Sequence, residues 1–167
     1  MKDKVSRINN EFYKNFPEIY LKPSKVNKFL KKYTNEVEKE IKNKFLKLKL
    51  DKNFVIYANG GFGRKEIFPI SDIDISIVEK NKPKDFKDLE QFISFLWDQG
   101  YKVGHSVRTI SDIKKISKSD LKEYTSYLTR RPIISTNEMD KKINYALSTI
   151  WTKNNFYNAK YVEQQQR

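Results

Sequence analysis

The stretch YANGGFGRKEIFPISDIDISIV, Tyr57 to Val78, sets three glycines and an arginine just ahead of two aspartates separated by one isoleucine. Ile73, Ile75 and Ile77 alternate with Asp72, Asp74 and Ser76, the period-two pattern of a strand with one apolar and one polar face. Residues two apart on a strand point to the same side, so Asp72 and Asp74 present their carboxylates together while the isoleucines anchor the other face in a core. Two carboxylates so placed repel, and one pKa rises unless a cation sits between them. A hard divalent ion resolves the conflict, and Mg²⁺ characteristically combines a few carboxylate oxygens with phosphate oxygens of its substrate. The pair therefore predicts a metal-bound phosphate ligand, with Asp72 and Asp74 holding the metal.

The residues ahead of the pair supply the other half of such a site. Phe54, Val55, Ile56 and Tyr57 read as a short buried strand, and Gly60 and Gly61 leave it for a short helix expected over Phe62 to Ile67. Missing side chains let phosphate oxygens approach backbone N–H groups. Arg64 is placed to brace the same phosphates or the aspartate strand by paired hydrogen bonds, and Pro69 and Ser71 turn the chain back toward Asp72. A dinucleotide fingerprint is excluded, because Glu66 stands where its third glycine belongs. Each piece alone is common in ordinary turns and solvated strands; their joint order carries the weight.

Farther out, Val26, Phe29, Leu30, Tyr33, Val37, Ile41, Phe45 and Leu48 recur at three and four residues, predicting an amphipathic helix from about Ser24 to Leu50. A second helix spans Asp85 to Gln99, with Phe92 and Trp97 read as core, and Gly100 closes it. Tyr101 to Ile110 alternates as a strand. Its face with Tyr101, Val103 and Val107 makes His105 a buried structural histidine, and its opposite face puts Arg108, beside Gly104 and Ser106, within reach of a phosphate or base. The remainder reads as helix, Ser111 to Arg131 with a break near Ser117 and then Asn137 onward. The predicted class is α+β, a small mixed sheet with helices packed against it and helical segments at both ends. Residues 1–50 form an N-terminal helical segment, 51–135 the core and 136–167 a C-terminal helical segment, together a single globular unit, standalone or a fragment of something longer.

At 167 residues the chain is long enough for one ordinary domain, and an aromatic share of 14% offsets an apolar fraction of only 38%. The absence of cysteine removes disulfides and thiolate chemistry, and a single histidine argues against zinc. No run spans a bilayer and MKDKVSRINNEF lacks a secretory apolar core, so a soluble, cytoplasmic protein is expected. The net charge of +13 is spread from Lys2 to Lys160 among acids, which favours a polyanionic ligand such as a nucleoside triphosphate over a dedicated nucleic-acid surface.

The order of apolar strand, Gly-Gly, Gly-Arg and Pro-x-Ser-Asp-Ile-Asp resembles the nucleotidyltransferase superfamily of DNA polymerase β. GGFGRKEIFPISDID and LWDQGYKVGHSVRTISD resemble most closely the N-terminal catalytic domain of bacterial PII uridylyltransferases, as do SDLKEYTSYLTRRPI and NFYNAKYVEQQQR. The resemblance implies the nucleotidyltransferase fold and transfer of UMP from UTP to a tyrosine of a PII-type signalling protein, with release of pyrophosphate. It also implies two Mg²⁺ ions on Asp72 and Asp74, with Gly60, Gly61, Arg64 and Ser71 around the triphosphate. Most two-metal members place a third carboxylate on a later strand, and Tyr101 to Ile110 has none. The third ligand is therefore unassigned, and a one-metal or inactive site is the alternative. A different acceptor, whether a small molecule, RNA or another protein, and a non-catalytic nucleotide-binding module are the competing readings.

Overall fold

Five consecutive buried residues, Phe54–Ala58, form β1 at the centre of a four-stranded sheet. The computed structural model describes residues 22–166 together with Asn10 and Lys14, so the rest of the first 21 residues of the expected N-terminal segment lies outside the described residues. β1 pairs antiparallel with β2, Ile73–Glu79, and with β4, Arg131–Ile134, while β2 pairs parallel with β3, Val103–Arg108. The parallel pair needs a crossover, and the helix Lys87–Asp98 supplies it. The sheet order is thus β3-β2-β1-β4 in a mixed α+β domain.

Helices cover both faces. In chain order they are α1, Pro23–Lys47; α2, Gly60–Arg64; α3, Lys87–Asp98; α4, Ile110–Ser119; α5, Leu121–Leu128; α6, Asn137–Ser148; and α7, Lys153–Gln165. Val37, Ile41 and Phe45 of α1 and Phe92 and Leu96 of α3 pack against Ile56, Ile73, Ile75 and Ile77 on one face. On the other, Ile113, Tyr124, Tyr127, Met139 and Ile143 of α4 to α6 pack against Val55, Tyr57 and Val78. β1 is sandwiched, which is why its five residues are apolar without alternation. Each aliphatic side chain so buried contributes about 1.5–3 kcal/mol.

Local chemistry sets the boundaries. Pro23 occupies the first turn of α1, where its missing N–H costs nothing. Gly100, at φ +84°, ends α3. The expected break near Ser117 falls at Asp120, whose carboxylate accepts from the N–H groups of Lys122 and Glu123 and so starts α5 directly after α4.

β4 fills the gap left between the helices expected to end at Arg131 and to resume at Asn137; it is short and carries Pro132, which an edge strand tolerates because among the described residues it pairs only with β1. Three expectations are corrected. Trp97 is 54% exposed rather than core, lying one residue beyond the Leu89, Phe92, Ile93, Leu96 stripe where the sheet ends at β3. His105 is exposed for the same reason, its ring edge-on to Trp97 at 6.0 Å. The C-terminal helix is two, with Thr152 capping α7 through its side chain. Among the described residues no helix is long and apolar enough to cross a membrane.

Candidate active site

The chain leaves β1 at Asn59 and enters α2 directly at Gly60, two residues earlier than expected. The Asn59 N–H donates to the carbonyl of Asp74 at 2.9 Å, fixing the turn against the first residues of β2. Gly60 sits at φ +52°, where side chains are disfavoured, and a Cβ there would lie 3.1 Å from Asp74 Oδ2. A Cβ on Gly63 would lie 2.9 Å from the Ala58 carbonyl oxygen, so α2 packs this closely on β1 only with glycine. Lys65, at φ 62°, stops the helix.

On β3, Gly104 pairs in register with Asp74, and a Cβ there would lie 2.6 Å from Asp74 Oδ1. The Asp74 carboxylate therefore fits between two positions without side chains, one on the β1–α2 turn and one on β3. Burial, and then the neighbouring charge of Asp72, push its pKa above the ordinary carboxylate value. Asp72 precedes β2 and is exposed.

Asp74 opens onto a cleft of about 400 Å³ whose walls include Asn59, Gly60, Ser76, Gly104, Ser106, Asp120, Lys122 and Glu123. Asn59 is 7% exposed, and its Nδ2 donates to Ser76 Oγ at 2.5 Å. The Ser106 hydroxyl is 3.5 Å from that of Ser76. α5 forms the far wall, where Glu123 accepts two hydrogen bonds from the Arg108 guanidinium, at 2.5 and 3.2 Å. Arg108 also donates to Tyr127 Oη at 3.2 Å, and the bond to Glu123 raises its pKa above the ordinary arginine value.

Of the residues read from the sequence, the cleft wall thus brings together Gly60 and Asp74. Arg108 is held by Glu123 rather than free for a ligand. Gly61 faces Ile67, 3.7 Å from a Cβ placed on it. Arg64 pairs with Glu66 at 2.9 Å, both well exposed, and Ser71 accepts from the N–H of Phe68 at 3.2 Å within the turn into β2. Sequence reasoning missed Asn59, Ser76, Lys122 and Glu123. Ser76 carried a signal, as the next residue on the aspartate face; Glu123 comes from a distant helix and carried none. Among the described residues no group of three or more His, Asp or Glu side chains is arranged to hold a metal.

The chain is 38% identical over 121 residues to the bifunctional uridylyltransferase/uridylyl-removing enzyme of Haemophilus influenzae (strain PittEE), covering 67% of this chain and 13% of that protein. It is 32% identical over 146 residues to the protein of the same name from Cupriavidus metallidurans, covering 86% of this chain and 17% of that one. The chain belongs to the nucleotidyltransferase superfamily. The chain spans less than a fifth of the length of those relatives. No family model matches it. Among solved structures, a toxin–antitoxin complex with AMP-PNP is similar at TM-score 0.42 and 18% identity, over 75% of this chain and 93% of that one. A mutant of the MntA–HpeT toxin–antitoxin gives 0.41 and 16% over the same shares.

Proposed function

We propose that the chain transfers UMP from UTP to a hydroxyl of a protein acceptor of the PII signalling type, releasing pyrophosphate and so reporting nitrogen status. The observation that carries this reading is the seat of Asp74, between Gly60 and Gly104 and beside Asp72, at the wall of a cleft large enough for part of a nucleotide. Burial and the neighbouring Asp72 charge both disfavour its ionised form, a conflict that a cation would relieve, and two acid side chains so close in sequence fit Mg²⁺. Asp72 and Asp74 would hold that ion, which neutralises phosphate charge and lowers the pKa of the attacking hydroxyl.

The chain's own contribution is positioning. Gly60 and Gly104 leave the carboxylate one place to sit, and the bonds from Asn59 to Asp74 and Ser76 hold the β1–α2 turn at a fixed height over β2. The transfer forms a bond between the acceptor oxygen and the α-phosphorus and breaks the bridging bond to pyrophosphate, a reaction in which placement supplies much of the rate. The cleft walls hold Asp74, Asp120 and Glu123 against Lys122, so binding of a triphosphate depends on the cation despite the basic surroundings. A reaction that consumes UTP belongs where nucleoside triphosphates are kept, which places the protein in the cytoplasm.

Calorimetric titration of UTP, ATP, CTP and GTP with and without Mg²⁺ tests the reading. Magnesium-dependent binding that favours UTP and disappears in Asp72→Asn/Asp74→Asn supports it. A folded protein that binds no nucleotide under any condition would sink it. Preference for another base, or transfer to RNA or a small alcohol in place of a PII-type protein, would keep the chemistry and change the substrate.

A further inference from the structure

Two concavities meet at a single side chain. The cleft beside Asp74 lies on the face of the sheet that carries Ser76, Gly104 and Ser106. A largely apolar groove of about 530 Å³ lies on the opposite face between α3 and β3, where Phe86, Leu89, Ile93, Trp97 and Val107 line it together with Glu90 and Ser94. His105 borders both. β3 is the last strand of the sheet and pairs only with β2 among the described residues, so its outer edge offers unpaired backbone groups. Phe86, Trp97 and Val107 are 45%, 54% and 39% exposed, which gathers three large apolar side chains beside that edge rather than scattering them.

We propose that the outer edge of β3 takes up an extended segment of the acceptor polypeptide as an added strand, with the residue to be modified turned toward the cleft and its two sequence neighbours turned into the groove. This rests on the reading of the cleft as a nucleotidyl-transfer site with a protein acceptor. A strand added about 4.8 Å beyond β3 continues the pleat, so its successive side chains alternate between the two faces of the sheet. One set meets the Asp74 face and the other meets Phe86, Trp97 and Val107. The segment that fits is therefore a hydroxyl residue flanked on both sides by apolar ones. Asp74 lies over Gly104, the neighbour of His105 on β3, so a hydroxyl carried across the strand at that level approaches the carboxylate. Tyrosine is the hydroxyl residue that the resemblance to the uridylyltransferases implies for the acceptor.

The test uses two acetylated peptides of equal length and charge, one with a central tyrosine between valines and one with the same tyrosine between serines. Each is titrated into the full chain without nucleotide, and amide hydrogen exchange is followed along β3. The valine-flanked peptide is expected to bind at least about tenfold more tightly and to slow exchange on β3, and Trp97→Ser/Val107→Ser to lower its affinity about tenfold with UTP binding unchanged. Equal affinities, no binding, or protection confined to other elements would overturn the proposal. So would a concentration-dependent dimer that protects β3 without peptide, since the edge would then belong to a second copy. The UTP titration is independent of these measurements: its failure removes the transfer reading alone, and peptide failure with intact UTP binding removes only the docking edge.

Discussion

On one face of β2, Ile73, Ile75 and Ile77 are each no more than 2% exposed beneath α1 and α3, whereas on the other Ser76 and Val78 are buried and Asp74 is open. The two faces belong to the same seven residues and differ in their cover. α4 to α6 pack on Val78 but leave the beginning of the strand uncovered, so the cleft marks where a helix layer ends. A polar residue at the covered end must find partners inside the protein, as Ser76 does with Asn59. A carboxylate at the uncovered end is free for a ligand.

The sharpest way to break this contrast is Asp74→Asn. Transfer activity is expected to fall on the order of 10³-fold, measured as labelled UMP incorporated into acceptor. Stability should move the other way. Because the folded state raises the Asp74 pKa, it holds the proton more tightly than the unfolded chain does, and stability present at low pH is lost as pH rises through the carboxylate range. In chelator at neutral pH the asparagine variant should therefore melt higher than the wild type, and the difference should close as pH falls. A variant that melts lower at neutral pH would show that Asp74 serves the fold.

Gly104→Ala comes next. A Cβ 2.6 Å from Asp74 Oδ1 displaces the carboxylate, and misplacement of about 1 Å costs roughly 10²-fold in rate. Gly104 is exposed, so melting should change little. Gly60→Ala adds the strain of φ +52°, about 1–3 kcal/mol, and should lower both activity and melting temperature. Full activity in Gly104→Ala would show that the carboxylate does not need its seat.

How much of this was legible in the sequence depends on the range of the interaction. The strand alternation of Ile73 to Ile77, the glycine turn and the α1 stripe are local patterns, and the structure has all three. The seat of Asp74 was half legible: Gly60 is near it in sequence, but Gly104 joins it through the parallel register of β2 and β3. Arg108 was placed on the correct face, yet its partner Glu123 arrives from α5 and no spacing rule links the two. Trp97 and His105 were misread because periodicity tells which residues share a side but not where the sheet stops. β4, short and interrupted by Pro132, has no alternation to read.

Glu123→Gln probes the far wall of the cleft, with a smaller effect. The substitution removes one carboxylate from the walls and loosens the partly buried Arg108, so affinity for Mg·UTP should rise about fivefold, near 1 kcal/mol. The melting temperature should fall slightly as the ion pair is lost. Calorimetry at two salt concentrations checks the cause, because an electrostatic gain shrinks as salt rises. Weaker binding would mean that Arg108 serves the nucleotide only while Glu123 holds it in place.

The smallest expected effect is on the other side of the sheet. Trp97→Ser should shift the unfolding free energy by no more than about 0.5 kcal/mol, because the indole is 54% exposed and its ring contact with His105 is an exposed edge contact. The ordinary rule for tryptophan is the opposite, since truncating a packed one costs about 3–5 kcal/mol. Denaturant unfolding of the two proteins side by side distinguishes these by the shift in midpoint at constant slope. A large loss would mean that the groove between α3 and β3 closes over Trp97 in solution, and the edge of β3 would then resemble the covered face of β2. A negligible loss leaves a large aromatic side chain beside an open strand edge, kept there at no gain to the fold.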